Sequence, residues 1–505
     1  MNKVLIKTKR VMVRKVRFVI VGAVLLLLSA CHHSADITIS ISDEVVNSGY
    51  IGNGVEWDPY DEALAWGHEI SDEQWQTLFH RLDVMRPQYV RCMINSPFSY
   101  WDAEKKTYRK GYREANIRKL LGYCKEHHIT VLYGEFNPPT WDMKQSQEWI
   151  DMSVDYLNYL INDCDLTCIK YFVIFNEPDG DWASTNGDYD MWLSMLKRFH
   201  KKMSAYDGLL DKVSLAGPDA VVNYKNANSK FDTQGWLSQS VAKADSIIGI
   251  YDVHAYPGQH EVRSGKYSDM LKRLSASIPE GKKIILGEAG FKYDHPEDSL
   301  LKQEYNRRAE ANPFTKGSDC NMLCYDYFYG LDMPMFAMEA MNSGMSGLAL
   351  WMLDDAMHSS GDSGKIEDVK IWGLWNILGG KVFNKAEEES PRPLYYSWTL
   401  MCRYFPQGCN ILKNSSTSLP EKGLFTVCAE KDGKLSFAVV NVGNEDQQIC
   451  VAFPHTTANA RLYTYQENNC KTDQNGEPLP VEEGISTLKY DITVKAQTMS
   501  VLTEM

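Results

Sequence analysis

Two glutamates in this 505-residue chain each end an apolar run. Glu177 follows Tyr171-Phe-Val-Ile-Phe-Asn176 and is followed by Pro178; Glu288 follows Lys283-Ile-Ile-Leu-Gly287 and precedes Ala289. A β-strand that ends in an acid presents that acid at the rim of a sheet, where a substrate can reach it. Two such carboxyls about 5–5.5 Å apart can cleave a glycosidic bond with retention of configuration, one protonating the leaving oxygen and the other attacking the anomeric carbon. A parallel barrel collects pairs of this kind from different strand ends.

The elements needed to position them are legible. From residue 50 to about 390, strand-like runs alternate with helical stretches, as expected of parallel βα units. Eight strands are predicted, at 52–57, 89–94, 130–136, 171–176, 213–217, 248–254, 283–287 and 347–351. Their spacing of roughly 35–42 residues, widening to about 60 before the last, suits a (β/α)8 TIM barrel with one enlarged loop. Glu177 and Glu288 then close strands four and seven. Ser71 before Asp72-Glu73-Gln74 has the pattern of a capping box, and Trp75, Leu78, Phe79, Leu82 and Met85 fall on one helical face. The segment 291–333, rich in Asp, Tyr, Asn and Gly, is long enough to shape a substrate site.

Beyond residue 391 short alternating runs at 424–430, 434–441, 447–453, 461–466, 486–494 and 498–503 predict a C-terminal antiparallel β-sandwich without helices, spanning 391–505. The alternating Ile37, Ile39 and Ile41 precede the barrel, so segment 31–49 is expected to add a strand to that sandwich, leaving 50–390 as the catalytic barrel.

The first 30 residues read as a signal peptide. Lys3, Lys7, Lys9, Arg10, Arg14, Lys15 and Arg17 precede an apolar run over 18–30, too short for a comfortable membrane span. Leu28-Ser29-Ala30-Cys31 resembles a bacterial lipobox, which implies lipidation of Cys31, export, and a lipid as the sole membrane anchor. Net charge is −13, and −20 once those seven cations are removed. Such acidity argues against nucleic acid and against polyanions held in broad basic grooves, while leaving room for an individual uronic acid. The eleven cysteines other than Cys31 show no zinc-ribbon spacing and commit to no disulfide. No clustered ligand set or phosphate loop suggests a metal or organic cofactor, and nothing in the sequence indicates the oligomeric state.

With acids at the ends of strands four and seven, the barrel segment resembles clan A of the retaining glycoside hydrolases. The resemblance implies Glu177 as acid/base and Glu288 as nucleophile. Arg91, ending the second strand, matches an arginine that holds the nucleophile ionised. Asn176 matches the residue that bonds the sugar 2-hydroxyl, and His254-Ala-Tyr256 resembles the motif whose tyrosine bonds the nucleophile. Trp351 stands where the clan has an aromatic floor. Asn176-Glu-Pro-Asp179-Gly180, Leu215-Ala-Gly217-Pro218, His254-Ala-Tyr256 and the terminal Thr498-Met-Ser-Val-Leu-Thr503 are most similar to family 39, the β-xylosidase and α-L-iduronidase type, with families 5, 30 and 79 as other relatives. Gly287-Glu288-Ala289-Gly290 and Gly54-Val-Glu56-Trp57-Asp58 depart from family 39. In this arrangement the negative charge of Glu288 is expected to raise the pKa of Glu177 and keep it protonated near neutral pH.

Sugar binding calls for aromatic faces and paired polar groups. Trp57, Trp141 and Trp182 beyond strands one, three and four, with Glu56, Glu135 and Asn137 beside them, are the candidate substrate contacts. The expected partner is an oligosaccharide or polysaccharide. A catalytically inactive glycan-binding lipoprotein and a transglycosidase are the competing readings.

Overall fold

The computed structural model describes residues 37–505 apart from 316–317 and 468–469. Cys31 and the signal segment lie outside the described residues. Among the described residues no helix is long and apolar enough to cross a membrane.

Eight parallel strands close into a barrel: β1 Gly52–Glu56, β2 Tyr89–Ile94, β3 Thr130–Glu135, β4 Ile169–Val173, β5 Ser214–Val221, β6 Ile248–Ala255, β7 Ile284–Ala289 and β8 Gly347–Leu350, with β8 returning to pair with β1. Strands β1, β2, β3, β7 and β8 are buried at every position, the near-continuous apolar pattern of a sheet covered on both faces. The approach between β1 and β2 is so tight that a Cβ on Gly54 would lie 1.6 Å from the Tyr89 carbonyl oxygen, so only glycine fits there.

The surrounding helices follow their local signals. Ser71 and Gln74 form the reciprocal capping box of helix Asp72–Met85, which buries Trp75, Leu78, Leu82 and Met85. Segment 291–333 contributes helix Ser299–Ala311 and the start of helix Tyr329–Asn342. The latter is buried from Tyr329 to Met341, apolar almost all round, because it is packed between helix Pro393–Tyr404 and the C-terminal sheet. Helix Pro393–Tyr404 was not foreseen, since the alternating pattern was read from residue 391 onward. Its Trp398 indole donates to the Gly54 carbonyl at 3.1 Å and ties it to β1.

The C-terminal part is a mostly antiparallel sheet domain. Strands Leu424–Lys431 and Lys434–Asn441 meet at Asp432-Gly433, whose positive φ values (52° and 75°) suit a tight hairpin turn. The N-terminal strand Ile37–Asn47 sits inside this domain. It pairs antiparallel with Asn410–Asn414 and, over Ile37–Ser40, parallel with Gln447–Ala452. It thereby joins what would be two separate sheets of a sandwich into one continuous, curled ladder. All eleven cysteines among the described residues are free thiols, and most are buried.

Candidate active site

Asn176 and Glu177 lie just past the end of β4. The Asn176 N–H donates to the carbonyls of Glu135 and Phe136, continuing the barrel past its last ladder pair. Glu177 then adopts φ 42°, a left-handed backbone that costs a non-glycine residue on the order of 1–3 kcal/mol and persists only where neighbours hold it. Its N–H donates to Asp219 Oδ2 at 3.0 Å, and its carbonyl accepts from Gly180 N at 2.9 Å. Glu288 sits inside β7 after Gly287, and a Cβ on Gly287 would lie 2.4 Å from Asp252 Oδ1. The glycine of the Gly-Glu pair is therefore set by a buried aspartate on β6, to which the Gly287 N–H also donates.

The two carboxyls meet. Glu177, His254 and Glu288 each bring one oxygen or ring nitrogen within 4.8 Å of the others. Arg91 Nη1 donates to Glu288 Oε1 at 2.6 Å, and Tyr256 donates to Glu288 Oε2 at 2.6 Å. Arg91 reaches further, to both oxygens of Glu56 (2.8 and 2.7 Å), to Asn176 Oδ1 (2.6 Å) and to Asp219 Oδ2 (3.3 Å). On Glu177, one oxygen faces His254 Nδ1 at 2.8 Å and the other accepts from the Trp182 indole at 2.6 Å. The second ring nitrogen of His254 faces Asp219 Oδ1 at 3.0 Å.

With both nitrogens aimed at carboxylates, His254 is set up as an imidazolium. Burial works against its charge, but Asp219 and Glu288 outweigh burial and hold its pKa well above the usual histidine value. This corrects the expected electrostatics of Glu177. Burial does push that carboxyl up, yet the bond and charge of His254, aided by Lys292, bring it below the ordinary value. In the free site the proton shared by the pair thus rests on the imidazole. Asp219 is likewise pulled well below the ordinary carboxylate value by His254 and Arg91, against the effect of burial. Asp252 is raised by burial and by the charge of Asp219, and so is kept protonated.

A cleft of 650 Å³ opens over these groups, lined by Asn176, Glu177, Tyr256 and Glu288 and by the predicted contacts Asn137, Trp141, Trp182 and Trp351. Trp141 and Trp182 are 53% and 44% exposed, which leaves faces free for a ligand. Trp351 is nearly covered, with His358 stacked on it at 5.2 Å.

Three predicted contacts lie elsewhere. Trp57 is fully buried among Trp75, Phe79 and Tyr123, facing the helix layer. Glu135 is fully buried, accepting from Ser153, Tyr108 and Trp149, and burial pushes its pKa up to about 7. Glu56 points into the barrel but is consumed by Arg91, so it orients the arginine and never meets solvent. The sequence reading missed Asp219, the common partner of Arg91, His254 and the Glu177 backbone, and the cleft residues His358, Lys292 and Lys370.

Glu177, His254 and Glu288 also offer donor atoms in a metal-like cluster. Arg91, Tyr256 and Trp182 direct N–H and O–H groups at the same oxygens, and a cation would have to displace them.

No family model and no curated protein matches the sequence. Solved structures do. A GH30 endoxylanase from Clostridium papyrosolvens aligns with a TM-score of 0.58 at 12% identity, covering 92% of this chain and 99% of that one. A GH39 β-xylosidase from Caulobacter crescentus gives 0.56 at 12%, over 92% and 99%. A family 51 α-L-arabinofuranosidase from Bifidobacterium longum gives 0.59 at 12%, over 93% and 99%. Across nearly their whole length, these glycoside hydrolases share this chain's fold, a closed eight-stranded parallel barrel with a mostly antiparallel sheet domain.

Proposed function

We propose that this chain is a retaining glycoside hydrolase, with Glu177 as acid/base and Glu288 as nucleophile. The observation that carries the reading is the approach of the two carboxyls to within 4.8 Å at the floor of an open cleft. This matches the short separation that direct attack requires, and falls below the roughly 6.5–9.5 Å that an inverting enzyme needs to seat a water between them. Arg91 and Tyr256 aim Glu288 at the sugar and neutralise part of its charge. Attack forms the bond from Glu288 to the anomeric carbon while the bond to the leaving oxygen breaks, and that oxygen takes the proton held by the Glu177–His254 pair. With the charge of Glu288 gone, Glu177 then draws a proton from a water whose oxygen bonds the anomeric carbon as the bond to Glu288 breaks, which restores the Glu288 carboxylate and releases the sugar with its original configuration.

The test is hydrolysis of aryl glycosides and oligosaccharides in both anomeric series, followed by proton NMR. The expected first product has the configuration of the substrate. An inverted product would overturn the double displacement, and transfer to a sugar acceptor in place of water would identify a transglycosidase. Binding without turnover across the panel would favour an inactive glycan-binding barrel. The exposed faces of Trp141 and Trp182 in the cleft support a role in stacking sugar units beyond the cleaved bond. Trp141→Ala is expected to raise KM for oligosaccharides about 2- to 10-fold, the loss of one stacking contact, with a much smaller effect on an aryl monosaccharide.

The lipobox at Cys31 makes the chain an exported lipoprotein in this reading, working on polysaccharide fragments at the cell envelope. Incorporation of labelled palmitate, abolished by Cys31→Ala, is the check.

A further inference from the structure

The chain is acidic overall, yet cations gather around its cleft. His358 donates to Asp58 at 2.6 Å and faces Glu62 at 3.8 Å. Burial works against its charge, but these two carboxylates hold its pKa at about 10. Lys370, from the loop after β8, places its ammonium 5.3 Å from the Trp351 ring centre and 3.9 Å from Asp319.

Lys292 differs from both. It lies four residues after Glu288, and its ammonium stands 4.7 Å from the ring centre of Tyr256, the tyrosine that bonds Glu288. Among the described residues, no carboxylate lies within 4.0 Å of that ammonium and no acceptor bonds it. Its backbone is pinned, the N–H donating to the Pro257 carbonyl at 3.3 Å and the carbonyl accepting from Lys302 at 3.2 Å. The nearest acid in sequence, Asp294, is occupied by Lys302 at 2.9 Å. A lysine on the protein surface rotates freely in water. This one is fixed at its root and lines the cleft beside the nucleophile, where its charge acts on Glu177 from beyond ion-pair distance and its ammonium has no hydrogen-bond acceptor of its own.

We propose that the sugar unit beside Glu288 carries an anionic substituent, a carboxylate or a sulfate ester, received by Lys292 with Lys370 as the second cation. This rests on the hydrolase reading and names its substrate class. An anionic group there would form a charge-assisted bond that a neutral hydroxymethyl cannot match, a difference of about 10- to 100-fold in affinity. It would also reconcile an acidic protein with an acidic substrate, since recognition depends on single half-buried cations and not on a basic surface.

The test uses matched aryl glycosides in both anomers, each uronide and each 6-sulfate beside its neutral hexoside. Wild type is expected to prefer one acidic member by 10-fold or more in kcat/KM, and the uronide and sulfate arms separate the two anions. Lys292→Met should reduce that preference at least 10-fold, and Lys292→Arg should restore most of it. In parallel, NMR titration of the wild-type chain with free uronic acids, sugar sulfates and neutral sugars reads the charge preference without turnover. Acidic sugars that bind while no glycoside is hydrolysed would remove the hydrolase reading and keep the anionic site. Neutral sugars handled as well as acidic ones, or a Lys292→Met loss equal on both, would overturn the proposal.

Discussion

Glu288→Gln is expected to reduce kcat by about 10⁴- to 10⁶-fold, the scale on which removing a covalent nucleophile silences an enzyme. The side chain keeps its size, so Arg91 and Tyr256 keep a neighbour, but attack on the anomeric carbon is lost. Glu177→Gln should cost less, about 10²- to 10⁴-fold, because only proton transfer is removed. Its deficit should shrink as the leaving group becomes more acidic and needs less protonation. Azide separates the two roles. With the smaller Glu288→Ala it should yield a glycosyl azide of inverted configuration, and with Glu177→Ala one of retained configuration. Both experiments follow from the two carboxyls facing one cleft. Full activity in Glu288→Gln would place the nucleophile elsewhere.

His254→Asn is expected to change the pH profile as well as the rate. In the wild type the last exchangeable proton of the Glu177–His254 pair is held by the imidazole, whose pKa is raised well above normal by Asp219 and Glu288 against the opposing effect of burial. The pair titrates as a unit, and the alkaline limb of kcat/KM reports its loss of that proton. Once His254 is gone, the proton must reside on the Glu177 carboxyl itself, a weaker holder. The sign follows: activity that persisted to high pH is lost at a lower pH, so the alkaline limb moves acidward. The plateau should fall on the order of 10²-fold through misplacement of Glu177. A plateau loss with an unmoved limb would mean that His254 only braces the strand. Asp219→Asn provides the companion measurement, since it removes the charge that holds the imidazolium and should move the limb in the same direction.

The barrel and its two acids could be read from the sequence because they depend on chain order. Strand and helix periodicity placed Asn176-Glu177 and Gly287-Glu288 at the ends of the fourth and seventh strands without any knowledge of side-chain direction. The substrate contacts depended on direction, and there the reading failed in a regular way. Successive residues of a strand point to opposite faces. Glu56 therefore turns inward to Arg91 and Trp57 outward to the helix layer, while Glu135 turns toward helix Gln147–Asn158. Residues past the strand ends, Asn137, Trp141 and Trp182, are released from that alternation and do reach the cleft. Asp219 was missed because the fifth strand was read as ending at Gly217, whereas the pairing with β6 continues to Val221. Lys292, His358 and Lys370 belong to loops with no periodic signal, and only the folded chain brings them to one wall.

The strand Ile37–Asn47 has a consequence for how the molecule is made. Its partners, Asn410–Asn414 and Gln447–Ala452, lie some 370 and 410 residues later in the chain. Synthesis from the N-terminal side presents this strand before the barrel, with Ile39 and Ile41 uncovered, and the entire barrel must be made before either neighbour exists. Contacts of such long sequence separation raise contact order and slow the final assembly. The barrel can condense early from local βα units, while the sheet waits for both ends to meet. Assembly therefore finishes with a ring closure between strand Ile37–Asn47 and its two distant partners, and until then the waiting strand is an open edge able to pair with another chain.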